Sequence, residues 1–253
     1  MGLFNQYTKE GRGVSKDEKT PRFLLFFQIF FRKFWNLVLL NMIYVLFCLP
    51  IITIGPATAG MTKILRNYAR EEHAFVWGDF IETFKKNFKQ SLLFSLLDLT
   101  VFSFLILDLL SIQNVTNQML SIISMAAILF SLTIWIFMRY YIYTMMITFR
   151  LSFRQLLKNA FIFCWAGFLR NLFLTGIIAL ITFLAVWYLG IIYLGFFLLI
   201  IYFSLCGFLV SFMTYPLIKK YMIDGFDPET GERLEEEKYE GFQDLNKADG
   251  SDL

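Results

Sequence analysis

One histidine, three cysteines and five prolines are all that the 253 residues supply of the side chains that bind metals, staple loops or punctuate a soluble fold. His73 stands beside Glu71 and Glu72 in a polar stretch, where solvation accounts for it. Cys48, Cys164 and Cys206 each lie in an apolar run and none belongs to a C-x-x-C pair. They read as small hydrophobes, and a disulfide framework is not expected. Walker A, HExxH and GxSxG signatures are also missing. No residue stands out as catalytic, cofactor-binding or metal-ligating, so no enzyme activity, cofactor, metal or nucleic-acid partner is expected. The first twenty or so residues are polar, so no cleavable leader is expected either.

What is abundant is apolar surface. Hydrophobic residues make up 57% of the chain, with 31 Phe, 12 Tyr and 5 Trp, and they fall in long runs. A soluble domain of this size could not cover that surface. The expectation is an all-α polytopic membrane helical bundle, in contact with lipid. Clear spans read at about 34–50, 91–112, 119–148, 171–189 and 191–218, each near the ~20 residues that cross a ~30 Å core. Ahead of them, FLLFFQIFFRKF (23–34) is too short to span alone; Gln28, Arg32 and Lys33 share one helical face, which favours an interfacial helix over the first turns of a span.

Charge sets the orientation. Of the 23 Lys and Arg, seven precede the first span, six lie in 55–90, four in 150–170 and five follow the last span, while 113–118 and 190 carry none. Basic segments stay in the cytoplasm. Both flanks of 34–50 are basic, and one span cannot leave both inside. An outer turn in LPIITIGP (Pro50, Gly55, Pro56), followed by a short sixth span at 56–70, resolves the conflict. Pro56 is tolerated in a first helical turn, Lys63, Arg66 and Arg70 can snorkel inward, and Ala57, Ala59 and Gly60 suit close helix packing. The competing reading is a re-entrant or interfacial segment. The chain then divides into a polar arm (1–22), a membrane domain (23–222) and an acidic tail (223–253), with both termini cytoplasmic.

Two stretches read as amphipathic cytoplasmic helices. In 76–90, Trp77, Phe80, Phe84 and Phe88 recur every three or four residues among charges. It is a candidate docking helix, comprising Trp77, Phe80, Phe84, Lys85, Lys86, Asn87 and Phe88, its aromatic face expected against the membrane. The second is 150–161. Inside the spans, Asp98 lies nine residues beyond Lys89, about 13 Å deep, and Arg139 lies eleven residues before Arg150, about 16 Å deep. Charges at such depth need partners, and these two can meet. An Asp98–Arg139 pair is expected.

The segment FWNLVLLNMIYVLFCLPIITIGPATAG, followed by WGDFIETFKKNFKQS, resembles the YesL-like family of bacterial membrane proteins of unknown function. Leu157-Lys158-Asn159-Ala160-Phe161 is similar to the family's second cytoplasmic helix. Members are often encoded beside carbohydrate ABC importers. The resemblance implies a bacterial cell-membrane protein acting near sugar uptake, as an accessory subunit touching an importer's permease or ATPase. Two alternatives stay open. One is a small independent transporter or channel, with a polar cavity lined by Asp98, Arg139, Asn41 and Tyr44. The other is a membrane partner of a sensor kinase.

Overall fold

Helix follows helix through residues 21–112 and 116–224, the residues described by the computed structural model, and no strand forms among them. The arm expected at 1–22, apart from its last two residues, lies outside the described residues. So does the tail expected at 223–253, beyond Asp224. The chain divides into two units, Met1–Phe34 and Trp35–Leu253. In the first, α1 (Arg22–Arg32) ends at Lys33, so the aromatic run is a helix of its own. Phenylalanines one turn apart stack along it, Phe26 on Phe30 with centroids 6.2 Å apart and Phe27 on Phe31 at 6.4 Å.

The second unit opens in α2 (Phe34–Cys48), which Leu49-Pro50 terminates. A single 3₁₀ turn, Ile51–Thr53, leads into α3 (Ile54–Ala69). Thr53 Oγ1 closes the connection by donating to the carbonyls of Phe47 (2.5 Å) and Pro50 (2.6 Å). The turn expected from Pro50 to Pro56 is therefore confined to 49–53. Gly55 and Pro56 are not part of it; they are buried in the first turn of α3, where Pro56 gives up an N–H that no helical carbonyl would have received.

α3 ends where Glu71 takes φ 60°, a left-handed conformation that breaks the helical path. Its 16 residues cover about 24 Å, and the 15 of α2 about 22 Å. Among the described residues, four helical stretches are long and apolar enough to cross a membrane: α5 (Phe88–Ser111), α6 (Gln118–Thr148), α8 (Phe168–Tyr188) and Ile191–Met222. The last comprises α9 (Ile191–Phe197), a π-helical segment (Leu198–Tyr202) and α10 (Phe203–Met222). α1 and α2 taken together would make a fifth. The sixth span expected at 56–70 falls short of that length.

Short as it is, α3 is the centre of the unit. Twelve of its 16 residues are buried, and it packs against α4 (Val76–Lys86), α5, α6 and α10. Its composition explains the position. Small residues let neighbouring backbones close in, and its threonines, Lys63, Arg66 and Asn67 are best shielded from lipid by more apolar helices. The main apolar core lies beside it, where Phe137, Tyr141 and Met145 of α6 meet Leu156 and Phe163 of α7 (Phe153–Ala166) and Ile218 of α10.

The amphipathic stretches expected at 76–90 and 150–161 are α4 and α7. Each feeds a long helix through one residue, Asn87 or Gly167. α4 stops four residues early because Asn87 turns the chain, its Nδ2 donating to Thr83 O at 3.2 Å. α7 starts at a capping box between Ser152 and Gln155 and continues to Ala166.

Candidate functional site

α6 carries the charge and the hydroxyls that α3, α5 and α10 meet. Arg139 Nε lies 3.3 Å from Asp98 Oδ1 on α5. The same oxygen accepts a hydrogen bond from Trp135 Nε1 at 2.8 Å. Trp135 and Arg139 are one helical turn apart, so a single carboxylate bridges two donors on one face of α6. The guanidinium also lies 5.2 Å from the centroid of Phe102, which covers it with a ring face. The sequence reading named the charges and missed Trp135, although an indole four residues before an intramembrane arginine is a visible cue. Asp108, near the far end of α5, is exposed.

Behind this pair lies a cavity of about 220 Å³ between α3, α6, α8 and α10. Thr58 and Thr62 of α3, Arg139, Tyr143 and Thr144 of α6, and Ser211 of α10 give it a hydroxyl-rich wall. The buried Thr144 Oγ1 has no hydrogen-bond partner among the described residues. Of the four residues considered for such a cavity, Arg139 lines it. Tyr44 approaches from α2, its OH 3.3 Å from Thr58 Oγ1. Asp98 and Asn41 do not line it. Asn41, fully buried, donates from Nδ2 to the carbonyls of Leu198 (3.0 Å) and Leu199 (2.6 Å) and accepts from Ser204 N at 2.9 Å. It holds the π-helical segment, whose widened turn leaves carbonyls without their usual amide partners.

The candidate docking helix is largely turned inward. Phe80 is fully buried against Gly60 of α3, where an added Cβ would sit 3.0 Å from the Phe80 ring. Phe47 of α2 inserts among its aromatics, with centroids 5.2 Å from Phe80, 5.2 Å from Phe84 and 6.2 Å from Trp77. The expected membrane-facing aromatic stripe is instead the packing face of α4, because α2 and α3 offer it small residues and a partner ring. Lys85, Lys86 and Trp77, which is 58% exposed, remain outward. Asn87 forms the junction and Phe88 begins α5.

The ion pair yields a stability prediction. Asp98→Asn and Arg139→Gln should each lower the unfolding midpoint of the purified protein, and the double variant should recover part of the loss, a coupling of about 1 kcal/mol. Asp98→Leu should cost more than Asp98→Asn, since the amide still accepts from Trp135. Strict additivity in the cycle would show that the two charges do not depend on each other.

Among the described residues no group of three or more His, Cys, Asp or Glu is placed to hold a metal ion. All three cysteines are free. Residues 37–109, from α2 to the end region of α5, match the model of a family described as "Protein of unknown function, DUF624". That match supports kinship with an uncharacterised domain family over this part of the chain. No curated protein and no solved structure matches it.

Proposed function

We propose that the chain is a non-catalytic accessory integral-membrane subunit associated with a bacterial carbohydrate ABC importer, with both termini cytoplasmic. The observation that carries this reading is how little of the long helices the chain covers itself. The most apolar windows of α5 and α6 are each only 6% buried, that of α8 11%, and that of α9–α10 22%. A chain that enclosed a solute path on its own would use these helices as mutual walls. Here they present apolar flanks outward, as a subunit does that packs beside other spans. On α8, Gly176 lies exposed, with nothing within 4 Å of an added Cβ, between the exposed Phe173 and Leu180. A notch of that kind admits a neighbouring helix closely. The resemblance to the YesL-like family, with its importer-linked gene neighbourhoods, supplies the partner class. The basic segments supply the orientation, so an impermeant thiol reagent should reach a cysteine placed at 52 from outside only.

A photo-crosslinking side chain at Leu180 tests the reading. In native membranes it should capture a permease of the importer, whereas one at the buried Leu174 should not. Equal capture at both sites, or none at 180, would count against it.

The second reading, a small independent transporter or channel, draws on the cavity of about 220 Å³ beside Arg139, where hydroxyls alternate with apolar side chains such as Met61, Ile136 and Ile178. Its test is flux through the purified chain in liposomes, abolished by Arg139→Gln.

A further inference from the structure

Arg66 is a buried charge without a matching one. It is 5% exposed on the most enclosed helix. Nη1 donates to Thr148 Oγ1 at 2.9 Å and Nη2 to Asn67 Oδ1 at 3.0 Å, both neutral acceptors, while Nε has no partner among the described residues. The nearby Glu72 is engaged by Arg70 at 2.6 Å. A guanidinium taken out of water with no carboxylate beside it is strongly unfavourable unless an anion completes it.

Both acceptors open onto a polar groove of about 770 Å³, bounded by the end of α3, α4, the start of α5 and the residues after α6. Lys63, Lys86 and Arg150 stand on its walls. Asp79 and Glu82 share the groove; both are on α4, and Asp79 accepts from Phe75 N at 3.1 Å. Three cations and two carboxylates line the groove, and Arg66 adds its charge from behind Asn67 and Thr148, so the groove carries excess positive charge. The site thus combines a buried charge behind its lining with the exposed cations Lys86 and Arg150.

We propose that this groove binds a phosphate-bearing anion. Lys63, Lys86 and Arg150 meet its oxygens, Asn67 Nδ2 offers a neutral donor at the floor, and Arg66 supplies the charge behind Asn67 and Thr148. A phosphate matches this set because it presents several acceptor oxygens and more than one unit of charge. Two sources share that chemistry. The groove lies at helix ends flanked by basic segments, within reach of an anionic lipid headgroup, and it is also roomy enough for a free phosphate. The inference does not depend on the importer association.

The test is thermal unfolding of the full chain in two arms. One compares inorganic phosphate with chloride at equal ionic strength, in neutral detergent. The other compares nanodiscs of phosphatidylglycerol with nanodiscs of phosphatidylcholine. At least one arm should give a saturable rise in midpoint of about 4 °C or more. A rise in the lipid arm alone assigns a headgroup, and a rise in the phosphate arm alone assigns a soluble ligand. Lys86→Gln with Arg150→Gln, both exposed in the native protein, should still fold and should weaken the apparent affinity about tenfold. Arg66→Gln, if it folds, should lose the response. No rise in either arm, an equal rise with chloride, or an unchanged affinity in the double variant would overturn the assignment.

Discussion

Replacing Asn41 with leucine should lower the unfolding midpoint of the purified protein by about 10 °C, or remove the folded protein altogether. The side chain is fully buried and makes three bonds to backbone: two donated to Leu198 O and Leu199 O, one accepted from Ser204 N. Leucine has the same number of side-chain heavy atoms and a larger volume, so no cavity contributes. What is lost is the pairing of three main-chain groups where lipid offers no substitute, roughly 1–3 kcal/mol each before relaxation. The π-helical segment Leu198–Tyr202 is the element at stake, since its widened turn depends on an outside donor. Asn41→Asp separates the parts: it still accepts from Ser204 N but cannot donate to the carbonyls, and should be nearly as damaging. Thermal unfolding monitored by far-UV circular dichroism in one detergent measures all three. A shift below about 2 °C for Asn41→Leu would mean that the segment holds itself.

Gly55→Ala should be almost as severe. An added Cβ at this position would run into the carbonyl oxygen of Ser91 and lie 2.8 Å from Ser95 Cβ. The first of these is backbone of α5, so no rotamer change relieves it, and α3 and α5 must part. Overpacking of this kind costs typically 1–3 kcal/mol, and Gly55→Leu should prevent folding. Gly176→Ala is the matched control, because nothing lies within 4 Å of its added Cβ. It should be neutral or slightly stabilising through helix propensity. Folded yield by size-exclusion chromatography and unfolding midpoint together decide the comparison. Equal behaviour of the two alanine variants would show that α3 and α5 are not in close contact.

These two sites mark where the sequence is and is not legible. The long helices are visible as apolar runs because lipid imposes their length, and their ends fall within a few residues of the expected ones. Asp98 and Arg139 are legible as candidate partners because depth along two antiparallel helices is simple arithmetic, and the fold brings them together. The same local reading gets α4 partly wrong. Its aromatic periodicity gives a face but not what the face meets, and Phe47 and Gly60, which settle that, lie on other helices. The central place of α3 is hinted at by its small residues, while its depth depends on four neighbours. Asn41 is the extreme case. Its partners are more than 150 residues away, and LGFFLLIIYF carries no local sign of a widened turn. Trp135 and Arg66 fall between: each has a visible oddity of placement, but only the packing of α5 and α6 against their neighbours shows what each touches.

On the proposed function, the apolar flanks left open by this chain are covered by an importer's helices. Purification of the tagged protein from its native membrane in a mild detergent, followed by mass spectrometry of what accompanies it, addresses that claim most directly. Stoichiometric recovery of an ABC permease and its ATPase is expected, reduced when Leu180 is replaced by a charged residue. Recovery of the chain alone, as a monomer or homo-oligomer, would contradict it and turn attention to the cavity beside Arg139.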